Sequence, residues 1–150
     1  MFFFLLVSFF LFFPYVIPSC VTCIHVSRLV RWSWLLFKYD SPVQADVRKP
    51  EDLEKAVAKT VEKYGHIDFL INGAAGNFLA PFDSLSYNAF RTVIEIDLLG
   101  SYNLTKAALQ HLRASNGAII NVSATLHYTG TIFQQHAGAA KAGIDVSFLS

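Results

Sequence analysis

From about Pro42 onward, short apolar runs alternate with longer amphipathic stretches. This alternation is typical of strand–helix–strand units, in which each helix crosses over an open parallel sheet. A chain of 150 residues is long enough for one such domain but not for two. The pattern therefore predicts a single α/β domain.

The same pattern places the predicted elements along the chain. Pro50 suits the first turn of a helix, and Gly65 suits its C-terminal cap. Ser86 suits the N-cap of a long helix that runs to about Ala114, with Gly117 ending it. The predicted strands are residues 43–47, 67–72 and 118–122, and a further helix covers residues 135–149.

Residues 1–27 differ from the rest because they contain no Asp, Glu, Lys or Arg. The first apolar run is long enough to cross a bilayer as a helix, with basic residues following it. We consider three interpretations: a membrane anchor that contacts lipid through residues 1–27, a short apolar leader, or sequence joined to the domain by a faulty gene model. In all three, residues 1–40 lie outside the domain and residues 41–150 form it.

Charge and cysteine usage exclude some classes of function. The net charge is +1 without a basic run, so nucleic acid is not predicted as a partner. Cys20 and Cys23 form a C-x-x-C pair, but no second Cys or His pair stands at ligand spacing. We therefore predict no metal site.

Polar or small residues follow three predicted strands, at Asp46, at residues 72–77 and at Ser123. In a doubly wound sheet, ligands bind outside the carboxyl ends of the strands. Asp46 could accept a hydrogen bond from an adenine amino group, or serve as a turn residue. Residues 72–76 (NGAAG) could let a backbone approach a sugar or phosphate, or form an ordinary tight turn. Three such ends in succession favour a shared ligand edge.

Two charged residues occupy positions expected to be apolar. Asp97 is in phase with the apolar stripe of the long helix, where a carboxylate is costly unless it is paired. Lys141 stands among small and apolar residues at the start of the last helix. If the two share a pocket, each reduces the cost of burying the other, and proton transfer becomes feasible. Tyr128 and His136 are titratable groups near the same edge, with structural roles as the alternative.

Taken together, these motifs resemble the short-chain dehydrogenase/reductase family. Asp46-Val47, the NGAAG stretch, a polar position at 97, Ser123 and Lys141 occur in the order and spacing of that family. Ala137 stands where most members have a catalytic tyrosine, and Asp97 replaces the usual asparagine. These departures match one subgroup, because AAGNF (74–78), SYNAFRTV and HAGAAKAG (136–143) are similar to peroxisomal 2,4-dienoyl-CoA reductases. LHY (126–128) is similar to the fungal members.

The resemblance implies a partial Rossmann-type doubly wound parallel sheet and reduction of 2,4-dienoyl-CoA by NADPH to a 3-enoyl-CoA. Asp97 and Lys141 would be catalytic, with Ser123, Tyr128 and His136 as further catalytic or substrate-contacting residues. The cofactor-binding residues would be Asp46, Val47, Asn72, Gly73, Ala74 and Lys141. It also implies a fatty acyl-CoA substrate, auxiliary fatty acid β-oxidation, a peroxisomal location and a homo-oligomer of the full-length protein.

The glycine-rich turn that cradles the cofactor pyrophosphate in this family is missing, because residues 1–40 contain no glycine. The resemblance covers about 110 residues and stops in the helix after Lys141. An apolar segment in place of the first strand–helix–strand unit favours the gene-model interpretation. One alternative is a catalytically inactive fragment of the same family, with or without a membrane anchor. The other is a short-chain reductase of another acyl-CoA or carbonyl substrate. We also expect the chain as written to bind NADPH weakly or not at all.

Overall fold

The structure is a computed structural model that describes residues 3–8, 22–28 and 43–147. Its strands are β1 (Phe3–Ser8), β2 (Thr22–Arg28), β3 (Val43–Ala45), β4 (Phe69–Asn72) and β5 (Ala118–Asn121). Its α-helices are α1 (Pro50–Tyr64), α2 (Tyr87–Ile94), α3 (Gly100–Ser115), α4 (Leu126–Thr129) and α5 (Gln135–Ser147). A π-helical turn, Glu95–Leu99, joins α2 to α3.

The described strands form one sheet in the order β3-β2-β1-β4-β5. Strands β1, β4 and β5 run parallel, and β2 is antiparallel to both β1 and β3. The predicted α/β fold is confirmed. The sheet is mixed rather than wholly parallel, however, because β2 reverses direction.

The predicted leader falls largely outside the described residues, which include only 3–8 and 22–28 of residues 1–40. Both of these stretches are strands. None of the helices in the described part of the chain is long and apolar enough to cross a membrane.

The helix caps follow the predicted sequence signals. Pro50 begins α1, and Gly65 ends it in the left-handed conformation with φ 84°. The Ser86 hydroxyl accepts a hydrogen bond of 3.1 Å from the backbone N–H of Ala89, which caps α2. Local capping chemistry therefore fixes these boundaries as expected.

The long helix predicted from Ser86 departs from expectation at two points. The π-helical turn interrupts it, and Asn116 rather than Gly117 takes the left-handed conformation at its end, with φ 54°. Gly117 is needed for another reason: a Cβ there would lie 2.6 Å from the carbonyl oxygen of Asp68. The glycine thus permits close approach of α3 to the start of β4.

Helices α1 and α3 pack together and cover β3, β4 and β5, while α5 packs against α2 and the π-helical turn. The single turn α4 lies between β5 and α5. The predicted end of the last helix, residues 148–149, lies outside the described residues. The central hydrophobic core comprises Ala45, Val47, Leu53, Ala56, Val57, Ile67, Leu70, Ala74, Ile96, Leu104, Ala108 and Leu112.

Gly100→Ala is expected to destabilise the protein, although alanine favours a helix over glycine by about 1 kcal/mol. A Cβ at Gly100 would lie 2.8 Å from Cγ2 of Val47, and overpacking of this kind costs about 1–3 kcal/mol. Gly138→Ala is the matched control, because the nearest atom to its Cβ would be 3.9 Å away. Urea unfolding should give a lower free energy of unfolding for Gly100→Ala and an equal or higher one for Gly138→Ala. Two equally stabilised variants would contradict the close packing at Gly100.

Candidate active site

Asp97 lies in the π-helical turn, in the middle of the long helical segment. Its exposed fraction is 0%, and its carbonyl oxygen accepts a hydrogen bond of 2.6 Å from the Ser101 hydroxyl. Single π-helical turns within α-helices occur frequently at functional sites, because they redirect side chains. The turn buries the carboxylate between the loop after β4 and the helix α5.

Each oxygen of the Asp97 carboxylate faces a different element. Oδ1 accepts a hydrogen bond of 2.5 Å from the backbone N–H of Gly76. Oδ2 lies 3.8 Å from Nζ of Lys141 and has no hydrogen-bond partner among the described residues. Burial raises the pKa of Asp97 to about 6, and the Gly76 N–H and the Lys141 ammonium oppose that rise. The carboxyl group is therefore poised to exchange a proton near neutral pH.

Lys141 reaches the same pocket from α5 and is only 6% exposed. Its ammonium donates a hydrogen bond of 3.0 Å to the carbonyl oxygen of Val122, at the end of β5. An ammonium has three N–H bonds, so donors remain for another acceptor. The structure thus brings Asp97 and Lys141 together in one buried pocket, although the catalytic roles of these residues stay predictions.

Ser123 and Tyr128 are both exposed, but they lie next to different residues. Ser123 is exposed and directly follows Val122, whose carbonyl oxygen accepts a hydrogen bond from Lys141. Tyr128 is exposed, and its hydroxyl donates a long hydrogen bond of 3.4 Å to Asp145. Asp145 is one helical turn beyond Lys141. The catalytic or substrate-contacting roles of Ser123 and Tyr128 stay predictions.

His127 was not predicted as a functional residue, yet it forms part of the same surface cluster as Tyr128. Its Nε2 lies 3.1 Å from Oδ2 of Asp145, and its ring lies 3.9 Å from that of Tyr128, between centroids. This cluster ties α4 to α5. The His–Asp spacing crosses between elements, so no sequence pattern could have identified it.

His136 lies in the first turn of α5 and has an exposed fraction of 0%. Its ring stacks on that of Phe78, with centroids 4.3 Å apart and an interplanar angle of 23°. Burial lowers the pKa of His136, which favours the neutral imidazole. The next residue, Ala137, is also buried and stands where most members of the resembled family have a tyrosine.

The predicted adenine-side residues are engaged within the protein. The Asp46 carboxylate pairs with the Arg48 guanidinium at 2.7 Å, and this pairing lowers the pKa of Asp46. Val47 is buried in the core, and its carbonyl oxygen accepts a hydrogen bond of 3.4 Å from Asn103. The Val47 side chain is therefore enclosed by the protein, and cofactor contact at Asp46 and Val47 stays a prediction.

Two residues of the NGAAG motif, Asn72 and Ala74, are also buried within the protein. The Asn72 amide donates hydrogen bonds to Oγ1 of Thr105 at 2.9 Å and to Oδ1 of Asn121 at 2.7 Å. These bonds hold β4, α3 and β5 together. Gly73 is partly buried, and the Ala74 side chain belongs to the core. The side chains of Asn72 and Ala74 are therefore buried within the protein, and cofactor contact at residues 72–74 stays a prediction.

Comparisons with known proteins identify the family to which the chain belongs. The sequence model of the family described as short chain dehydrogenase matches residues 38–148. The peroxisomal 2,4-dienoyl-CoA reductase of Saccharomyces cerevisiae is 62% identical over 100 residues, covering 67% of this chain and 34% of the relative. The (3E)-enoyl-CoA-producing peroxisomal 2,4-dienoyl-CoA reductase of Arabidopsis thaliana is 46% identical over 114 residues, covering 70% of this chain and 38% of the relative.

Solved structures show the same likeness. A short chain dehydrogenase from Bacillus anthracis superposes with a TM-score of 0.67 at 39% identity, covering 70% of this chain and 44% of that protein. The chain spans about a third of the length of the curated relatives it matches. The family match covers well over half of the chain, and the described strand ends carry the polar residues expected of that family. The chain therefore belongs to the short-chain dehydrogenase family.

Proposed function

We propose that this chain carries the central part of a peroxisomal NADPH-dependent 2,4-dienoyl-CoA reductase, which converts 2,4-dienoyl-CoA into 3-enoyl-CoA. The observation that carries the proposal is the buried pair of Asp97 and Lys141 beside Ala137, with no phenol at the usual tyrosine position. The relatives from yeast and Arabidopsis bear this activity in their names. Their similarity supports extending that activity to the protein of which this sequence forms part.

The residues around Lys141 suit the nicotinamide end of the cofactor. The Lys141 ammonium retains free N–H donors after its bond to Val122, and Oδ2 of Asp97 is buried without a hydrogen-bond partner among the described residues. Ribose hydroxyls are both donors and acceptors, so they match this pair. When bound, the cofactor supplies the hydride.

The remaining chemistry is assigned to side chains of this chain. Lys141 stabilises the negative charge that develops on the thioester oxygen, because an ammonium in a buried pocket interacts more strongly than in water. Asp97 orients the water that protonates the carbon next to the thioester, and it relays the proton. Protonation at carbon through water needs no phenol. The replacement of tyrosine by Ala137 therefore favours this reaction over carbonyl reduction.

A groove on the neighbouring face of α5 suits a fatty acyl substrate. It has a volume of about 620 Å³ and is lined in part by Phe82, Leu126, Ile132, Phe133, Gly138 and Ala142. Ligand pockets of this size are common, and apolar lining favours a hydrocarbon chain. Gly138 and Ala142 flank Lys141 in sequence, so the groove runs beside the helix that carries the ammonium.

Replacing Lys141 with methionine or Asp97 with asparagine should abolish dienoyl-CoA reduction. The test uses a chimera in which residues 43–147 replace the matching segment of the yeast relative, because that relative supplies the remaining strands. Each variant should lower kcat/KM for NADPH-dependent reduction of a 2,4-dienoyl-CoA by about 100-fold or more. Lys106→Met is the matched control, because Lys106 lies over the Tyr102 ring at 5.7 Å. Full activity of both variants, or a chimera that prefers a 3-ketoacyl-CoA, would contradict the proposal.

The chain of 150 residues alone should bind NADPH weakly or not at all, because residues 1–40 supply no glycine-rich turn for the pyrophosphate. Fluorescence titration of the purified chain measures this directly. The active chimera is the positive control. Micromolar affinity of the isolated chain would show that other residues replace the missing turn.

Asp97 should titrate near pH 6, and Lys141→Met should raise its pKa further. Burial already disfavours the carboxylate, and removing the ammonium removes one of the interactions that oppose the shift. Carboxyl ¹³C NMR measures the pKa, with Lys106→Met as a control that leaves it unchanged. A lower pKa in Lys141→Met would contradict the assigned pairing.

Protonation of Asp97 should also make the free energy of unfolding depend on pH. The pKa of Asp97 is higher in the folded state than its ordinary 3.8, so its stabilising contribution is complete below about pH 4 and is lost as pH rises through 6. The difference between these two pKa values corresponds to about 3 kcal/mol in the free energy of unfolding. Asp97→Asn does not titrate, so its free energy of unfolding should lack this decline in urea denaturation between pH 4 and pH 7.

A further inference from the structure

The His136 imidazole is buried, yet no hydrogen bond to the described residues compensates for removing its nitrogens from water. It has an exposed fraction of 0%, and neither ring nitrogen has a hydrogen-bond partner among the described residues. The backbone of Phe78 lies close enough to the His136 ring to offset part of the lowering of the His136 pKa. The two groups do not, however, meet the geometry of a hydrogen bond. A neutral imidazole has one donor and one acceptor, and leaving both unsatisfied costs free energy. Some other contact must therefore favour this ring.

That contact is the stack of the His136 ring on Phe78, at 4.3 Å between centroids. Stacked aromatic pairs stabilise beyond the area they bury, and the neutral imidazole favoured by burial avoids placing a charge in the interior. Phe78 is itself 41% exposed, so its ring lies partly in solvent while it stacks on the buried imidazole.

Phe78 belongs to the loop that supplies the backbone N–H to Asp97. Gly76, two residues before Phe78, donates to Oδ1 of Asp97, and Ala80, two residues after it, donates a hydrogen bond of 3.0 Å to Phe133. The loop has no regular secondary structure from Gly73 to Ala80. The burial of Ala74 in the core and the contacts at Gly76, Phe78 and Ala80 therefore fix its path, and the stack links it to α5, the helix that carries Lys141.

We propose that His136 is a positioning residue whose ring, by stacking on Phe78, holds the loop so that the Gly76 N–H reaches Asp97. The stack couples the two partners of Asp97, since Gly76 lies on the held loop and Lys141 lies five residues beyond His136 on α5. The importance of this coupling for catalysis rests on the proposed function. The positioning itself concerns contacts within the chain.

The competing explanation is that an imidazole nitrogen is needed, as a hydrogen-bonding group for water or a ligand. The two explanations differ because stacking requires a flat ring and not the nitrogens. His136→Phe retains the ring and removes both nitrogens. His136→Ala and Phe78→Ala each remove the stack.

The experiment measures the pKa of Asp97 by carboxyl ¹³C NMR in the full 150-residue chain. His136→Phe should leave the pKa at the wild-type value. His136→Ala and Phe78→Ala should each raise it by about 1, because loss of the Gly76 hydrogen bond disfavours the carboxylate. The double variant should raise it no further than either single variant, since both remove the same contact. Leu79→Ala is the matched control, as Leu79 lies in the same loop and is 71% exposed.

Two results would overturn the proposal. One is a pKa in His136→Phe that moves as far as in His136→Ala, which would make a nitrogen the essential feature. The other is an unchanged pKa in Phe78→Ala, which replaces a half-exposed side chain and so tests the stack even if His136→Ala fails to fold. Hydrogen exchange of the Gly76 amide gives a second readout and should accelerate when the stack is lost. Because neither measurement uses turnover, failure of dienoyl-CoA reduction with the expected pKa changes would contradict the proposed function and leave the positioning intact.

Discussion

The burial of one carboxylate, that of Asp97, is the constraint on which the rest of this site depends. Removing an ionised carboxylate from water costs several kcal/mol unless other groups replace its hydration. Here the Gly76 N–H and the Lys141 ammonium replace part of it, and Oδ2 is left without a hydrogen bond among the described residues. The compensation is incomplete, which is why the pKa of Asp97 rises to about 6 instead of falling as in a surface ion pair.

Small residues on the surrounding helices make this burial feasible. A Cβ at Gly143 would lie 2.8 Å from Cδ2 of Leu98, the neighbour of Asp97 in the π-helical turn. Gly100 allows an equally close approach to Val47 on the other side. These contacts bring α5 and the strand end at Val47 against the turn that holds the carboxylate. The small residues around Lys141 thus serve the packing that encloses Asp97.

The parts of this structure that depend on local sequence were predictable, and those that depend on distant contacts were not. Pro50, Gly65 and Ser86 carry capping chemistry within a few residues, so the helix starts and the end of α1 follow from them. The convergence of Asp97 and Lys141 was predictable because each breaks an apolar pattern and needs a partner. The antiparallel direction of β2 is set by pairing with β1 and β3, which no local pattern encodes.

The same distinction explains what was missed at the site. The π-helical turn inserts one extra residue per turn without a glycine or proline inside it, so the apolar stripe reads as an unbroken helix. The inward direction of the Asn72 amide depends on Thr105 and Asn121, which lie 33 and 49 residues away. The strand-end motif predicted polar residues at the correct edge of the sheet. It could not predict that the Asn72 amide would be used within the protein, in hydrogen bonds to Thr105 and Asn121.

The missing phenol and the raised pKa of Asp97 have related chemical consequences. A tyrosine with an ordinary pKa near 10 suits proton transfer to an oxygen atom, as carbonyl reduction requires. An acid with a pKa of about 6 lies closer to neutral pH, where general acid–base catalysis is most effective. Burial of the small Ala137 leaves no hydroxyl on that turn of α5. Under the proposed function, the Lys141 ammonium stabilises the developing charge and the buried Asp97 carboxyl handles the proton, a division of roles that suits a substrate protonated at carbon.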